Sequence, residues 1–438
     1  MAFVTDCLGY IHGTSLRWTL YREGRLEFNA NARLLTSCRK SPPNRWPSNI
    51  LCAASLILCY ATTSVLVTQI KITTNDQYAI VNRTSIAALG LGLLGQTALA
   101  SWCLLSTLKK VPTWSSNPLN NTLAWLSLAK SGNTEGRCMI SRHSQIPPNQ
   151  KSQPQKRQRS PFFIRHVRIV LVVAWSLPLL AIVWGVAIFF ISRNLQFSRY
   201  SLHSSDSSWD MDGQNYITIL LGSHSEGQLV MSQTSNIVQS VRAILFACAI
   251  QGAQTIGLHC VETLVNIRRD ENAWHAANLP RKRSKAGSEP IGAPLNVSAL
   301  RAAASNWENA IQFTFKVVLH WLLGRSFHPF FYFDFDSWGY GFDMMYLRIF
   351  VYFIIAAVLA LFATYLAFQM PKGPQPATYG NLQSLANLVD DWGAGKESSL
   401  WWGDKGLNAN GTRRAGTSAD LKTLGKIHMD ADYEGLLE

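Results

Sequence analysis

Residues 169–192 read IVLVVAWSLPLLAIVWGVAIFFIS, 24 consecutive positions without a charge. A bilayer core about 30 Å thick is crossed by roughly 20 apolar helical residues. In hydrocarbon every backbone N–H and C=O must be paired within the segment, so a run of this length reads as a transmembrane helix. Four more uncharged runs share the property, at 49–70, 84–108, 243–261 and 349–370. The alternative is a large soluble protein with very apolar buried helices, but such helices rarely run so far without a polar face. The whole-chain mean hydropathy is only +0.04 because long polar loops dilute the spans.

A sixth segment, 306–327 (NWENAIQFTFKVVLHWLLGRSF), carries Lys316 and His320. A central lysine costs about 2.5–3.5 kcal/mol on an insertion scale, which several Leu, Phe and Val offset. Charge distribution decides in its favour. With six crossings, at about 49–70, 84–108, 168–192, 241–264, 306–327 and 347–370, one side holds most of the Lys and Arg. Seven precede the first span, eleven fill the second gap, seven the fourth and seven the C-terminal tail, against seven on the opposite side. Basic residues stay cytoplasmic, so both termini are expected in the cytosol. The expected fold is an all-α transmembrane, six-helix multi-pass bundle. A cytosolic N-terminal tail (1–48), a membrane domain (49–370) and a small cytosolic C-terminal module (371–438) make up the chain. The first 45 residues show no compact apolar core of a signal peptide, so the first span is expected to serve as the targeting signal. The host is expected to be the plasma membrane or an endomembrane.

The net charge of +14 then belongs to loops facing anionic lipid rather than nucleic acid. Stretches such as KRQR (156–159) and RKRSK (281–285) gain about 1 kcal/mol per residue near an anionic leaflet. Residues 132–161 and 278–294 are rich in Ser, Asn, Gln, Pro and Lys and are expected to be disordered. In the loop 193–240, Asp206, Asp210, Asp212 and Glu226 lack the glycine offset of a calcium loop and read as solvated. Within it YITILLG (216–222) is strand-like, with 228–232 as a candidate partner. Eight cysteines show no C-x-x-C pair, and no His spacing fits zinc. Neither a metal nor a cofactor is expected. Sequons stand at Asn82, Asn120, Asn296 and Asn410, of which only Asn82 lies on the outer side.

Ionisable residues inside spans are where function is sought first. Gln251, Thr255, His259 and Glu262 follow each other at spacings of 4, 4 and 3, which places them on one helical face. Lys316 and His320 are likewise four apart on the next span. Antiparallel packing brings Glu262 and Lys316 to similar depth, so the six residues form a candidate intramembrane polar cluster. One reading is a proton- or cation-coupled site with His259 and Glu262 titrating. The other is a satisfied cluster that orders two helices, since Glu and Lys near an interface pair or snorkel cheaply. Pro178 removes a backbone bond and is expected to kink its span. Gly90, Gly92 and Gly95 suggest close helix packing. The aromatic stretch 327–342 reads as an interfacial belt or, alternatively, a glycan-stacking lid. In the tail, Leu382, Leu385, Leu388, Val389 and Trp392 share a helix face ended by Gly393. Residues 403–406 (GDKG) read as a turn, and docking of the tail onto its own membrane domain is the favoured arrangement.

No G-x-S-x-G elbow, H-E-x-x-H helix or dinucleotide fingerprint occurs, which argues against an enzyme. GLHCVETLVNIRRDE (257–271), KVVLHWLLG (316–324), YGNLQSLANLVDDWG (379–393) and LWWGDKG (400–406) resemble segments of uncharacterised multi-pass membrane proteins of filamentous fungi. The likeness covers mainly residues 241–438. It implies an integral membrane protein and no particular reaction. Transport or sensing of a solute or ion through the polar cluster is the sharpest functional expectation. The alternative is a non-catalytic membrane scaffold, with anionic lipid at its basic loops and a cytosolic protein at its C-terminal module as candidate partners.

Overall fold

The computed structural model describes residues 1–72, 77–128, 139, 151–195, 216–225, 233–278, 292–297, 306–333, 337–392, 399–408 and 411–434. These are mostly helical. In chain order the helices are α1 (Ala2–Arg22), α2 (Trp46–Ser64), α3 (Arg83–Thr107), α4 (Pro118–Leu128) and α5 (Arg165–Leu195). They continue with α6 (Gln233–His275), α7 (Trp307–Ser326), α8 (Tyr346–Phe368) and α9 (Leu382–Leu388). Four of them, α3, α5, α6 and α8, are long and apolar enough to cross a membrane, consistent with an integral membrane protein. The two others expected to cross, α2 and α7, have 19 and 20 residues and are not among the four.

The bundle turns many large apolar side chains outward. Leu105 is 79 % exposed, Val172 71 % and Leu91 66 %, a surface that water would penalise and lipid would not. Between the helices a single apolar core joins α2, α5, α6, α7 and α8 through residues such as Ala61, Ala174, Leu258, Leu319 and Ala360. Small residues set the closest approach. A Cβ at Gly92 would stand 2.8 Å from the Cys59 sulfur of α2, and one at Gly95 would stand 2.5 Å from Ser55 Oγ. Gly90, expected to join them, faces open space. Asn82 starts α3 by accepting hydrogen bonds from the Thr84 and Ser85 amides, which satisfies two of the orphan donors of the first turn. Its Nδ2 donates to Ser240 Oγ at 3.1 Å and the residue is buried, so this sequon is a helix cap closed to modification in the folded chain.

Two sheets correct the all-α expectation. Strands β1 (Val67–Ile72), β2 (Gln77–Val81) and β3 (Tyr216–Ser225) belong to one of them; β4 (Ala293–Pro294) belongs to the other. Further along, β5 (Phe327–Phe333) and β6 (Ser337–Met345) form a hairpin, followed by β7 (Ser399–Leu407) and β8 (Arg413–Ser418). The larger sheet runs β2-β1-β5-β6-β3. β1, β2, β5 and β6 adjoin the ends of α2, α3, α7 and α8, which places the sheet at one end of the bundle. The aromatic stretch therefore builds a hairpin, as aromatic and β-branched residues favour. β3 pairs antiparallel with β6, not with residues 228–232, which lie outside the described residues.

The smaller sheet, β4-β7-β8, sits at the opposite end. The GDKG segment lies inside β7, where a register irregularity between Asp404 and Gly406 absorbs what reads as turn chemistry; Gly406 has φ 102°. The helix of the tail ends at Leu388, short of Gly393. The stretches expected to be disordered lie largely outside the described residues, but their described ends are held in place. Ser152 pairs with Tyr433 and Arg157 with Lys372, and Ala293–Pro294 pairs with Leu400 and Ser399.

α6 joins the two ends. At 43 residues it is about 65 Å long, twice what a bilayer needs. Its last turns carry buried acids. Glu271 accepts from the Thr378 and Tyr379 amides at 3.0 and 2.6 Å; Asp270 accepts from Asn29 Nδ2 at 2.9 Å. Tyr379 (φ 51°) and Gly380 (φ 72°) turn left-handed here. A Cβ on Gly380 would stand 2.7 Å from Asp270 Oδ2, so this tight approach requires glycine. Trp274, fully buried, packs with Leu385, Leu400 and Trp402 of the tail and donates to Pro376 O at 2.8 Å.

Candidate functional site

The polar face of α6 meets α7 as its spacing predicts. Lys316 Nζ lies 3.8 Å from Glu262 Oε2, and His259 Nδ1 lies 2.9 Å from the same oxygen. One turn further along α7, His320 Nδ1 is 2.9 Å from Gln251 Oε1. The Gln251 amide is oriented by donating through Nε2 to Ser64 Oγ of α2 at 2.9 Å. Thr255 takes no part. Its hydroxyl bonds back to the Gln251 carbonyl at 2.7 Å, the usual retreat of a threonine inside a helix.

Three contributors come from segments that periodicity did not mark. Asp6 of α1 forms an ion pair with Lys316, so the ammonium sits between two carboxylates. Tyr60 of α2 stacks on His320, with ring centroids 3.6 Å apart and planes 2° from parallel. Thr5 lies 3.4 Å from the Tyr60 hydroxyl. The first 48 residues are thus no detached tail: α1 packs along α3. It is also pinned by Asn44 donating to Ser15 at 3.0 Å and by Trp18 donating to Thr113 O at 3.0 Å. Arg33 completes the charge balance. Gly9 leaves the room its guanidinium fills, and its charge reaches both His259 and Glu262 through space. Asp6 was legible only as a lone acid in a stretch without Lys or Arg from Met1 to Leu16.

Burial grades along the cluster. The side chains of Glu262 and Asp6 are 36 % and 31 % exposed, whereas Lys316 is 1 % exposed and both histidines are buried. A buried ammonium without counter-ions would cost several kcal/mol, so the two carboxylates explain how α7 tolerates Lys316. The imidazoles are different. Glu262 and Gln251 accept from their Nδ1–H groups, which leaves each Nε2 with its lone pair outward. Both Nε2 atoms are buried without a hydrogen-bond partner. Buried polar atoms are normally paired, and here two such nitrogens stand within one cluster of ionisable groups. At the far end a small crevice lined by Ser64, Gln251, Gly324, Phe327 and Phe342 reaches the cluster from the side of the larger sheet.

From Gln251 to Glu262 the site extends about 16 Å along α6. It holds acids, a base and neutral imidazoles in near contact. Among the described residues, no group of three or more metal-ligating side chains is assembled. No protein-family model, curated protein or solved structure matches the chain.

Proposed function

We propose that this chain is a six-helix integral membrane protein with both termini cytosolic, and that it moves or senses a small ion or solute through the cluster between α6 and α7. One observation carries the reading. Two buried imidazoles with unpartnered Nε2 atoms stand beside a lysine shared by two carboxylates, in the interior of an apolar bundle where ionisable groups are expensive. The basic loops support the orientation, and the likeness of residues 241–438 to fungal membrane proteins fits it. Flux into liposomes carrying the purified chain tests the reading. His259→Ala and Glu262→Gln are expected to abolish a pH- or ion-dependent flux while protein level and fold persist; variants that conduct normally sink it. A glycosylation reporter placed after Glu438 is expected to stay unmodified, and its modification would overturn the topology.

A scaffold reading has its own observation. Lys156, Arg157, Arg159, Arg165 and Arg168 are exposed around the start of α5, where Phe163 is also 57 % exposed beneath Arg159. This arrangement suits anionic headgroups above acyl chains. The packing of the tail on α6 favours docking onto its own bundle over capture of a cytosolic protein.

A further inference from the structure

We infer that the species handled by the cluster is the proton, relayed between the surface-facing carboxylates of Glu262 and Asp6 and the crevice beside Gln251 by the Nε2 atoms of His259 and His320. The inference rests on the transport reading above and narrows it. Three observations carry it. First, the carboxylate oxygens that would coordinate a metal cation already face Lys316, and the crevice at Gln251 has no ring of oxygen ligands. A proton needs neither a cavity nor a coordination shell. Second, both imidazoles are fixed in the tautomer that leaves Nε2 free to accept. Third, accessibility runs from the partly exposed acids to the sealed histidines and then to the crevice.

The steps balance without a co-reactant. His259 takes a proton on Nε2 and releases the one on Nδ1 to Glu262 Oε2, which discharges it at the surface. Rotation of the imidazole then returns an N–H to face Glu262 and frees the other nitrogen for the next proton, and transfer in the other direction reverses each move. His320, whose Nδ1–H is held by an amide that is a poor base, stores the proton on Nε2 as an imidazolium stacked against Tyr60. Unpartnered buried nitrogens of this kind are where single waters are taken up to span the remaining gaps. The charged and titratable groups facing the relay are Asp6 of α1, Arg33, Tyr60 of α2, His259 and Glu262 of α6, and Lys316 and His320 of α7. Lys316 is the fixed positive charge that repels other cations, and Asp6 with Glu262 keeps the site from rejecting the proton as well.

The experiment uses the full chain in liposomes containing a pH-sensitive dye, with a potassium diffusion potential set by valinomycin. Protein-dependent proton entry is expected. His259→Asn and His320→Asn keep an N–H donor near the Nδ1 position but delete Nε2, and each is expected to slow entry at least tenfold while thermal stability stays near that of the parent. A merely structural role predicts unchanged flux in both. Proton entry no faster than in empty liposomes, or normal rates in these variants, overturns the inference. If sodium, potassium or a neutral solute moves in a Glu262-dependent way while protons do not, the proton assignment falls and the transport reading stands; if nothing moves, both fall. Should the variants fail to fold, infrared difference spectra of the unaltered protein decide. Imidazole or carboxyl protonation within the bundle between about pH 5 and 8 supports the relay, and silent spectra there overturn it.

Discussion

α6 carries two acid-and-histidine groups nine residues apart, and they are built to different standards. At the tail end, Glu271 faces His275 at 2.9 Å and receives two backbone amides, and Asp270 is paired with Asn29 and Arg269. At the bundle end, Glu262 and His259 pair with each other, Glu262 is part-exposed, and the lysine beside it is divided between two acids. The same residue types thus give a joint fastened to backbone amides in one place and a network of side chains alone in the other. A sealed carboxylate clamped by backbone amides holds structure together, whereas part-exposed carboxylates that share one ammonium are free to exchange partners.

The largest test of this contrast is Trp274→Ala. It empties the packing under the tail and is expected to lower stability by about 3–5 kcal/mol, measured by thermal unfolding in detergent; His259→Asn should cost far less. Comparable losses would erase the distinction between the two regions. Next, Lys316→Met strands Asp6 and Glu262, with an expected cost of about 2–3 kcal/mol, below the fully buried case because both acids are partly exposed. Adding Asp6→Asn and Glu262→Gln should recover most of it, and failure to recover would mean that the lysine acts through packing instead.

Gly95→Ala brings a methyl group onto the Ser55 hydroxyl and is expected to cost about 1–3 kcal/mol, a control for helix contact away from the ionisable cluster. The smallest effect concerns Tyr433, whose hydroxyl is pushed up to about 12 by burial, the His428 amide acting against this and Asp404 with it. Its folded value lies above the unfolded one near 10. The stability it contributes is therefore complete below pH about 10 and drains away between about 10 and 12. Ultraviolet titration of the parent against Tyr433→Phe reads it directly, and a phenol ionising near 10 would contradict the buried setting.

Much of the bundle was written in residue order. Uncharged length marked α3, α5, α6 and α8, and helical spacing put His259 and Glu262 on one face opposite Lys316. What escaped were partners supplied by chain far away in sequence. No local period announces that Asp6 will meet Lys316, 310 positions on, or that Tyr60 will lie flat on His320. The larger sheet escaped for another reason. Its strands are short connections between helices, and an aromatic run such as 327–333 serves equally as a belt or a strand until a partner appears. In β7, glycines and an aspartate that normally make turns were spent on a bulge.

α6 is also a drive shaft. Between Glu262 and Glu271 there are two and a half turns of unbroken helix, about 13 Å, with no glycine or proline to absorb torque. A twist of the shaft that re-aims Glu262 must swing Glu271 by the same angle, against its grip on the Tyr379 backbone. Glu262 and Glu271 are thereby held at a fixed mutual angle, one turned to the bundle's lysine and the other to the backbone of the tail.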